Sequence, residues 1–372
     1  MRKSGLHTRI TLLTVLTLCA AIAAGGASCS LFGKKDKTPM KKVSGPVRPP
    51  AFEFKFALEP GASYSSTFLF DEAIQISSQN EDGYFTAPAP VRFDLSMIWK
   101  VLEQDKDKTD RFNIDITMEE ITLVSENLDP LAAAEVLPRF QNQTMTLVVN
   151  KDGEIEDYYA LELDSFFTQL EEEFKGDADK LAVVAQVKQQ FTWDLMVERF
   201  SLAFHFVPPS EESAQDKDSK RKKAGIVLKK KDDTWTAKTL NYMLPGQISV
   251  PVEMKYKFAD LKKESGVALA EILFGIKQDL SLYSIGEDTI AGVIAKGKRV
   301  QEKSGAYETM DFKGYAVYNT TANDIEEIKA EMTATGKITI KPRRGDPVDG
   351  QLEIKRNYVL SLAQNQTEES KK

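Results

Sequence analysis

Side chains able to do chemistry are scarce in this chain. Its 372 residues hold two cysteines, Cys19 and Cys29, and two histidines, His7 and His205. A Ser-His-Asp set needs an imidazole between nucleophile and carboxylate. Beyond the first thirty residues only His205 could supply it. His205 sits between Phe204 and Phe206, ahead of Pro208 and Pro209, a setting that suits a packed or rim histidine. Zinc draws several His or Cys ligands, and that supply is missing. Neither a Walker loop nor Gly-x-Gly-x-x-Gly occurs. Asp105, Asp107 and Asp110 have the start of a calcium loop. Its sixth position holds Asp110 instead of Gly, and its twelfth Ile116 instead of Glu, so a solvated turn is the better reading. Asp232-Asp233 reads as a turn leading into a strand. A glycosidase needs two carboxylates at the right separation in space; 56 acidic residues nominate no pair. No catalytic residue, cofactor or metal is assigned.

Cys29 is different, because of what precedes it. Arg2, Lys3 and Arg9 form a positive start. Residues 10–24 carry no charge and include Leu12, Leu13, Val15, Leu16, Leu18 and Ile22. That run is shorter than the ~20 apolar residues a spanning helix needs, and has the layout of a secretory signal. Gly25-Gly26-Ala27-Ser28 then breaks the helix with small residues. An ordinary leader cut after Ala23 or Ala27 is one reading. The other follows from a resemblance. Residues 1–29 resemble bacterial lipoprotein precursors, with Ala27 and Ser28 at the last two lipobox positions and Gly26 in place of the usual Leu. The resemblance implies cleavage before Cys29 and at least two acyl chains on it, enough for stable membrane attachment. It also implies that Ser30, rather than Asp, favours outer-membrane sorting in many Gram-negative species. The partner so expected is the membrane, through lipidated Cys29.

Composition narrows the rest. Without residues 1–28 the chain keeps 344 residues, with 46 basic and 56 acidic, a net charge of −10. A phosphate binder needs a concentrated basic face, so nucleic acid is not an expected partner. One remaining cysteine excludes an intrachain disulfide, and stability must come from core burial.

Residues 29–50 read as a basic, Pro-rich tether, with Lys34, Lys35, Lys37, Lys41, Lys42 and Arg48 among four prolines. Strands start at Phe52. Tyr64, Ser66, Phe68, Phe70, Ile74 and Ile76 share one face of the next. Val91, Phe93, Leu95, Met97, Trp99 and Val101 give the clearest two-residue period. In the strand from Phe112 the parity slips between Met118 and Ile121, which predicts a β-bulge near Glu119-Glu120. Asp129-Pro130 reads as a helix start, with an end before Pro138. A hairpin follows around Asn150–Gly153. The spacing predicts helices opened by Asp164 and by Asp177 or Asp179, closed by Gly176 and bent at Thr192. They are either a layer packed on the sheet or a lid over an apolar cavity. Residues 208–224 are polar and charged, too poor in apolar area to offset ordering. Strands resume over 234–243, 248–261, 267–280, 289–301, 307–318, 325–340 and 351–362.

The expected organisation is a signal over 1–28, the tether, a β module with helices over 51–207, a disordered loop over 208–224, a second β module over 225–363 and a frayed tail over 364–372. Val91–Leu102 can be laid on Val250–Leu261, so the two modules could be similar. The order of features also resembles a group of uncharacterised bacterial lipoproteins. Gly61 and Tyr64, Pro208, Asp233 and Trp235, and the strand-turn-strand from Tyr315 to Ile325 carry that likeness, which implies no activity. A looser likeness, in architecture alone, is to lipoprotein carriers with an unclosed barrel covered by helices.

The fold expected is mainly β: a large curved antiparallel sheet or unclosed barrel, with a helical layer from the middle of the chain. Phe52, Tyr64, Phe68, Trp99, Trp235, Tyr256 and Phe258 are either core or the lining of a greasy pocket. The first functional expectation is a non-catalytic envelope lipoprotein holding a lipid or other hydrophobic cargo in the concave sheet. An envelope assembly protein without a small ligand is the second, and a carboxylate-dependent hydrolase the third.

Overall fold

A computed structural model describes residues 52–54, 59–78, 88–102, 111–150, 153–204, 227–229, 231–245, 248–264, 266–286, 290, 299–321 and 324–365. The tether, the Asp105–Asp110 run, the whole 208–224 segment and the last seven residues lie outside them.

Thirteen strands and four α-helices are described. The strands are β1 Phe52–Phe54, β2 Ser63–Ser78, β3 Val91–Val101, β4 Arg111–Ser125, β5 Thr144–Asn150, β6 Ile155–Tyr159, β7 Val227–Lys229, β8 Thr234–Leu244, β9 Ile248–Glu264, β10 Val267–Asp279, β11 Val300–Asn319, β12 Asp324–Pro342 and β13 Val348–Gln364. The helices are α1 Pro130–Val136, α2 Leu161–Glu173, α3 Ala178–Gln190 and α4 Trp193–Phe204. Eleven strands make one antiparallel sheet in the order β6-β5-β4-β3-β2-β13-β12-β11-β10-β9-β8, while β1 and β7 form a separate ribbon. Each half of the chain runs as a meander in the same direction through the sheet, and β2 pairs with β13 where they meet.

Alternation decides which face is inside. Along β3, Phe93, Leu95, Met97, Trp99 and Val101 are buried while their neighbours are not. The same holds for Val250, Val252, Met254, Tyr256 and Phe258 on β9. Fully burying one such side chain contributes about 1.5–3 kcal/mol, so this face holds the fold together. The outer face carries exposed ion pairs such as Lys313–Glu331 and Lys355–Glu353, each worth about 0–1 kcal/mol.

The bulge falls where the parity slip puts it. Ser96 pairs with Glu120 but Met97 pairs with Met118, leaving Glu119 extra. That extra residue keeps both Met118 and Ile121 buried. The sheet also curls hard. Tyr242 on β8 meets the ring of Phe312 on β11 at 4.7 Å, although β9 and β10 lie between. Arg356 on β13 bonds the backbone of Met243 on β8, five strands away. In a flat sheet that span would be about 24 Å, beyond any side chain. Gly314 allows part of the curl: Phe274, its partner on β10, folds its ring over the position.

The helix signals are mostly local. Asp129 caps α1, accepting from the Ala132 N–H at 2.8 Å, with Pro130 at the start. Asp129→Ala is expected to cost about 1 kcal/mol, read as a shift in the urea midpoint of the whole chain. The helical path does not stop at Pro138. A 3-10 turn, Leu137–Phe140, holds this proline in its first positions, where a missing N–H costs nothing. Helix α2 begins at Leu161, not at Asp164; that carboxylate lies in the first turn, where it complements the helix dipole. Asp177 caps α3, and Thr192 separates α3 from α4. One expected strand is redrawn. Ile290 lies in no strand, and Val300-Gln301 open β11 instead of closing a segment of their own.

Candidate functional site

Helix α4 runs across the concave face, and its second half is buried all round. Met196, Phe200, Leu202, Ala203 and Phe204 are buried, and so are Glu198, Arg199 and Ser201. Phe200 and Phe204 cover Trp99, with ring centroids at 5.3 and 5.9 Å. Phe191, just before the helix, meets Phe93 edge-on at 5.8 Å. Trp193, at the start of the helix, is 41% exposed and leans on Tyr158.

One charged residue of α4, Glu198, fastens it to the sheet. Glu198 Oε2 accepts from the Met243 N–H at 2.7 Å, and Oε1 from the Tyr358 hydroxyl at 2.6 Å. Arg356 donates to the Met243 carbonyl through Nη1 and to Glu72 through Nε, the latter at 2.6 Å. Its Nη1 also lies 3.6 Å from Glu198 Oε1. Met243 pairs with Ser249 of β9, and side chains from α4 and β13 take both its backbone groups. At this residue the outer edge of the sheet is capped by side chains in place of a further strand. Desolvation opposes the Arg356 charge, but Glu72, Tyr358 and Glu198 hold its pKa above the ordinary arginine value. Burial, then Glu198, pushes the Tyr358 hydroxyl well up, so it stays a donor.

A separate pocket of about 460 Å³ opens on β8, β9 and β10. Thr234, Thr236, Lys255, Lys257, Leu273 and Gly275 line it, together with Trp235, Tyr256 and Phe274. Lys257 is paired with Asp232 at 2.9 Å. The lining has no carboxylate to serve as a general acid or base.

The residues singled out from sequence fare unequally. Cys29, His205 and Asp105, Asp107 and Asp110 lie outside the described residues. Asp232-Asp233 forms the turn ahead of β8, with Asp232 at φ 71° and its N–H bonded to the Phe258 carbonyl. Tyr64, Phe68, Trp99, Trp235, Tyr256 and Phe258 all face the core. Glu198, Arg199, Arg356 and Glu72 went unrecognised. A signal for the first existed: at helical spacing Asp194, Glu198 and Ser201 share one stripe of the otherwise mostly apolar 193–204 segment. Among the described residues no three His, Cys, Asp or Glu side chains are placed to share a metal. No described helix is long and apolar enough to cross a membrane.

The fold and site define a mostly β protein, an unclosed antiparallel sheet with a charged helix fastened in its concavity. No protein-family model matches the chain, and no curated protein matches it. Among solved structures, an outer membrane channel from Pseudomonas putida F1 aligns with 85% of this chain and 100% of its own, at 9% identity and a TM-score of 0.15. OccK2 (OpdF) of Pseudomonas aeruginosa aligns with 83% of this chain and 99% of its own, at 8% identity and a TM-score of 0.16.

Proposed function

We propose that this chain is a bacterial envelope lipoprotein, held to the membrane by acylated Cys29, that carries a hydrophobic molecule against its concave sheet and catalyses no reaction. The observation behind the cargo reading is the way α4 is fixed. The sheet has one continuous apolar face, yet the helix covering its centre is fastened by polar bonds from Glu198 to Met243 and Tyr358. Buried ion pairs add little net stability compared with apolar packing of the same volume. A permanent core helix would gain nothing from them, whereas a helix that leaves and returns to one register would. The leader and the small residues before Cys29 support the anchor.

Organic extraction of the purified mature protein, followed by mass spectrometry, tests the cargo. A co-purifying lipid in near-stoichiometric amount is expected. An empty protein that also takes up no fluorescent fatty acid would remove the reading. Cys29→Ser should move the protein from the membrane fraction to the soluble fraction, and unchanged fractionation would refute the anchor.

One observation favours the second reading, an assembly protein without a small ligand. Tyr159 at the end of outer strand β6, Leu161 at the start of α2 and Trp193 are all substantially exposed, and such apolar side chains suit a protein contact.

A further inference from the structure

Arg199 is the buried charge for which the fold provides least. It is 2% exposed. Its guanidinium lies over three rings, 4.5 Å from the centroid of Phe70, 5.5 Å from Phe93 and 5.6 Å from Phe68. Its hydrogen bonds go to neutral oxygens of a single residue. Nη1 donates to the Gln190 carbonyl at 2.8 Å and Nη2 to Gln190 Oε1 at 2.6 Å, while Nε meets no acceptor. Guanidinium groups in such places ordinarily hold a carboxylate or phosphate with two parallel bonds. Two carboxylates are near and make the local charge count even, but neither bonds Arg199. Glu72 bonds Arg356, and Glu198 bonds Met243 and Tyr358. The consequence shows in the titration: burial pushes Arg199 down to about 10, against the pull of Glu198, and it stays charged at neutral pH.

The two strands beneath hold two more buried polar atoms without partners, Ser66 Oγ on β2 and Trp99 Nε1 on β3. Ser66 lies two residues from Phe68 on the same face of β2. Trp99 rests against Phe200, the neighbour of Arg199 in α4. Each unmet group carries a free-energy cost. The unmet Arg199 Nε, held between α4 and the rings of β2 and β3, points to a polar group received there.

We propose that the cargo is an acidic amphiphile whose carboxylate or phosphate head is received by Arg199, with Ser66 and Trp99 adding hydrogen bonds, and whose hydrocarbon lies on the apolar face that α4 covers. This rests on the cargo reading above. The competing role for Arg199 is purely local, since Gln190 ends α3 and its carbonyl needs a donor.

The test compares three ligands of equal chain length on the full mature protein: oleate, oleyl phosphate and oleyl alcohol, each competing against a neutral fluorescent probe. The wild-type chain should bind at least one of the two acids ten-fold or more tighter than the alcohol. Which acid leads identifies the head. Arg199→Gln should abolish that preference while keeping alcohol binding, and Arg199→Lys should retain part of it. Trp99→Phe preserves the packing and removes one N–H, so it should weaken the acid a few-fold and leave the alcohol alone. It also serves should Arg199→Gln fail to fold. Equal binding of acids and alcohol by the wild-type chain would overturn the acidic head and leave the cargo reading standing. Binding of none of the three would overturn the cargo reading itself.

Discussion

Glu198→Ala is expected to lower the stability of the folded chain by about 3–5 kcal/mol, the usual result of removing one partner from a buried charged network. Three groups lose their acceptor or counter-charge together. The Met243 N–H and the Tyr358 hydroxyl each lose a short bond, and Arg356 loses the second of its two carboxylates. Glu198→Gln keeps an acceptor for Met243 and should cost less. The effect should also be non-additive. With Arg356 already changed to Met, the further change Glu198→Ala should cost distinctly less than it does alone, because contacting members of one network couple. Urea unfolding reads all three. A loss below about 1 kcal/mol for Glu198→Ala would mean that the carboxylate is solvated and α4 is not fastened as described.

Gly314→Ala is the other large effect, and its cause is steric. A Cβ at this position would collide with the Lys329 carbonyl oxygen and with two ring atoms of Phe274, at 2.5 and 2.7 Å. A ring can turn away; a strand carbonyl held in the β11–β12 ladder cannot. Overpacking of this kind ordinarily costs about 1–3 kcal/mol, and the backbone clash puts Gly314→Ala at or above the upper end. Phe274→Leu in the same chain should recover only the part due to the ring. Thermal unfolding compares the single and double variants. A Gly314→Ala chain as stable as the wild type would mean that the sheet is flatter here than the contacts require.

Most of the local architecture could be read from residues alone. Period-two alternation marks β3 from Val91 to Val101, and the slip between Met118 and Ile121 marks the bulge at Glu119. Asp129 and Asp177 mark helix caps because a short acceptor just before an apolar run satisfies free N–H groups. Two kinds of feature stayed hidden. Helix α2 starts after Ala160, which makes no side-chain cap, so Asp164 in the first turn was the nearest visible signal. The network around Glu198 depends on residues 72, 198, 243, 356 and 358, which come together only when the sheet curls. Nothing in the neighbourhood of Arg356, on a strand otherwise alternating in the ordinary way, says that its inward side chain finds Glu72 and a backbone carbonyl. The pairing of β2 with β13 is equally non-local, since alternation fixes the face of a strand and not its neighbour.

That pairing bears on how the chain reaches its native state. Tyr64 lies opposite Gln364, and the Asn365 N–H closes the seam on the Ser63 carbonyl at 2.8 Å. The central seam therefore cannot zip until β13 has been made. Until then the nascent polypeptide exposes an open β2 edge, the kind of template other chains add to. Such long sequence separation makes for slow folding, which leaves a chaperone a defined edge to guard.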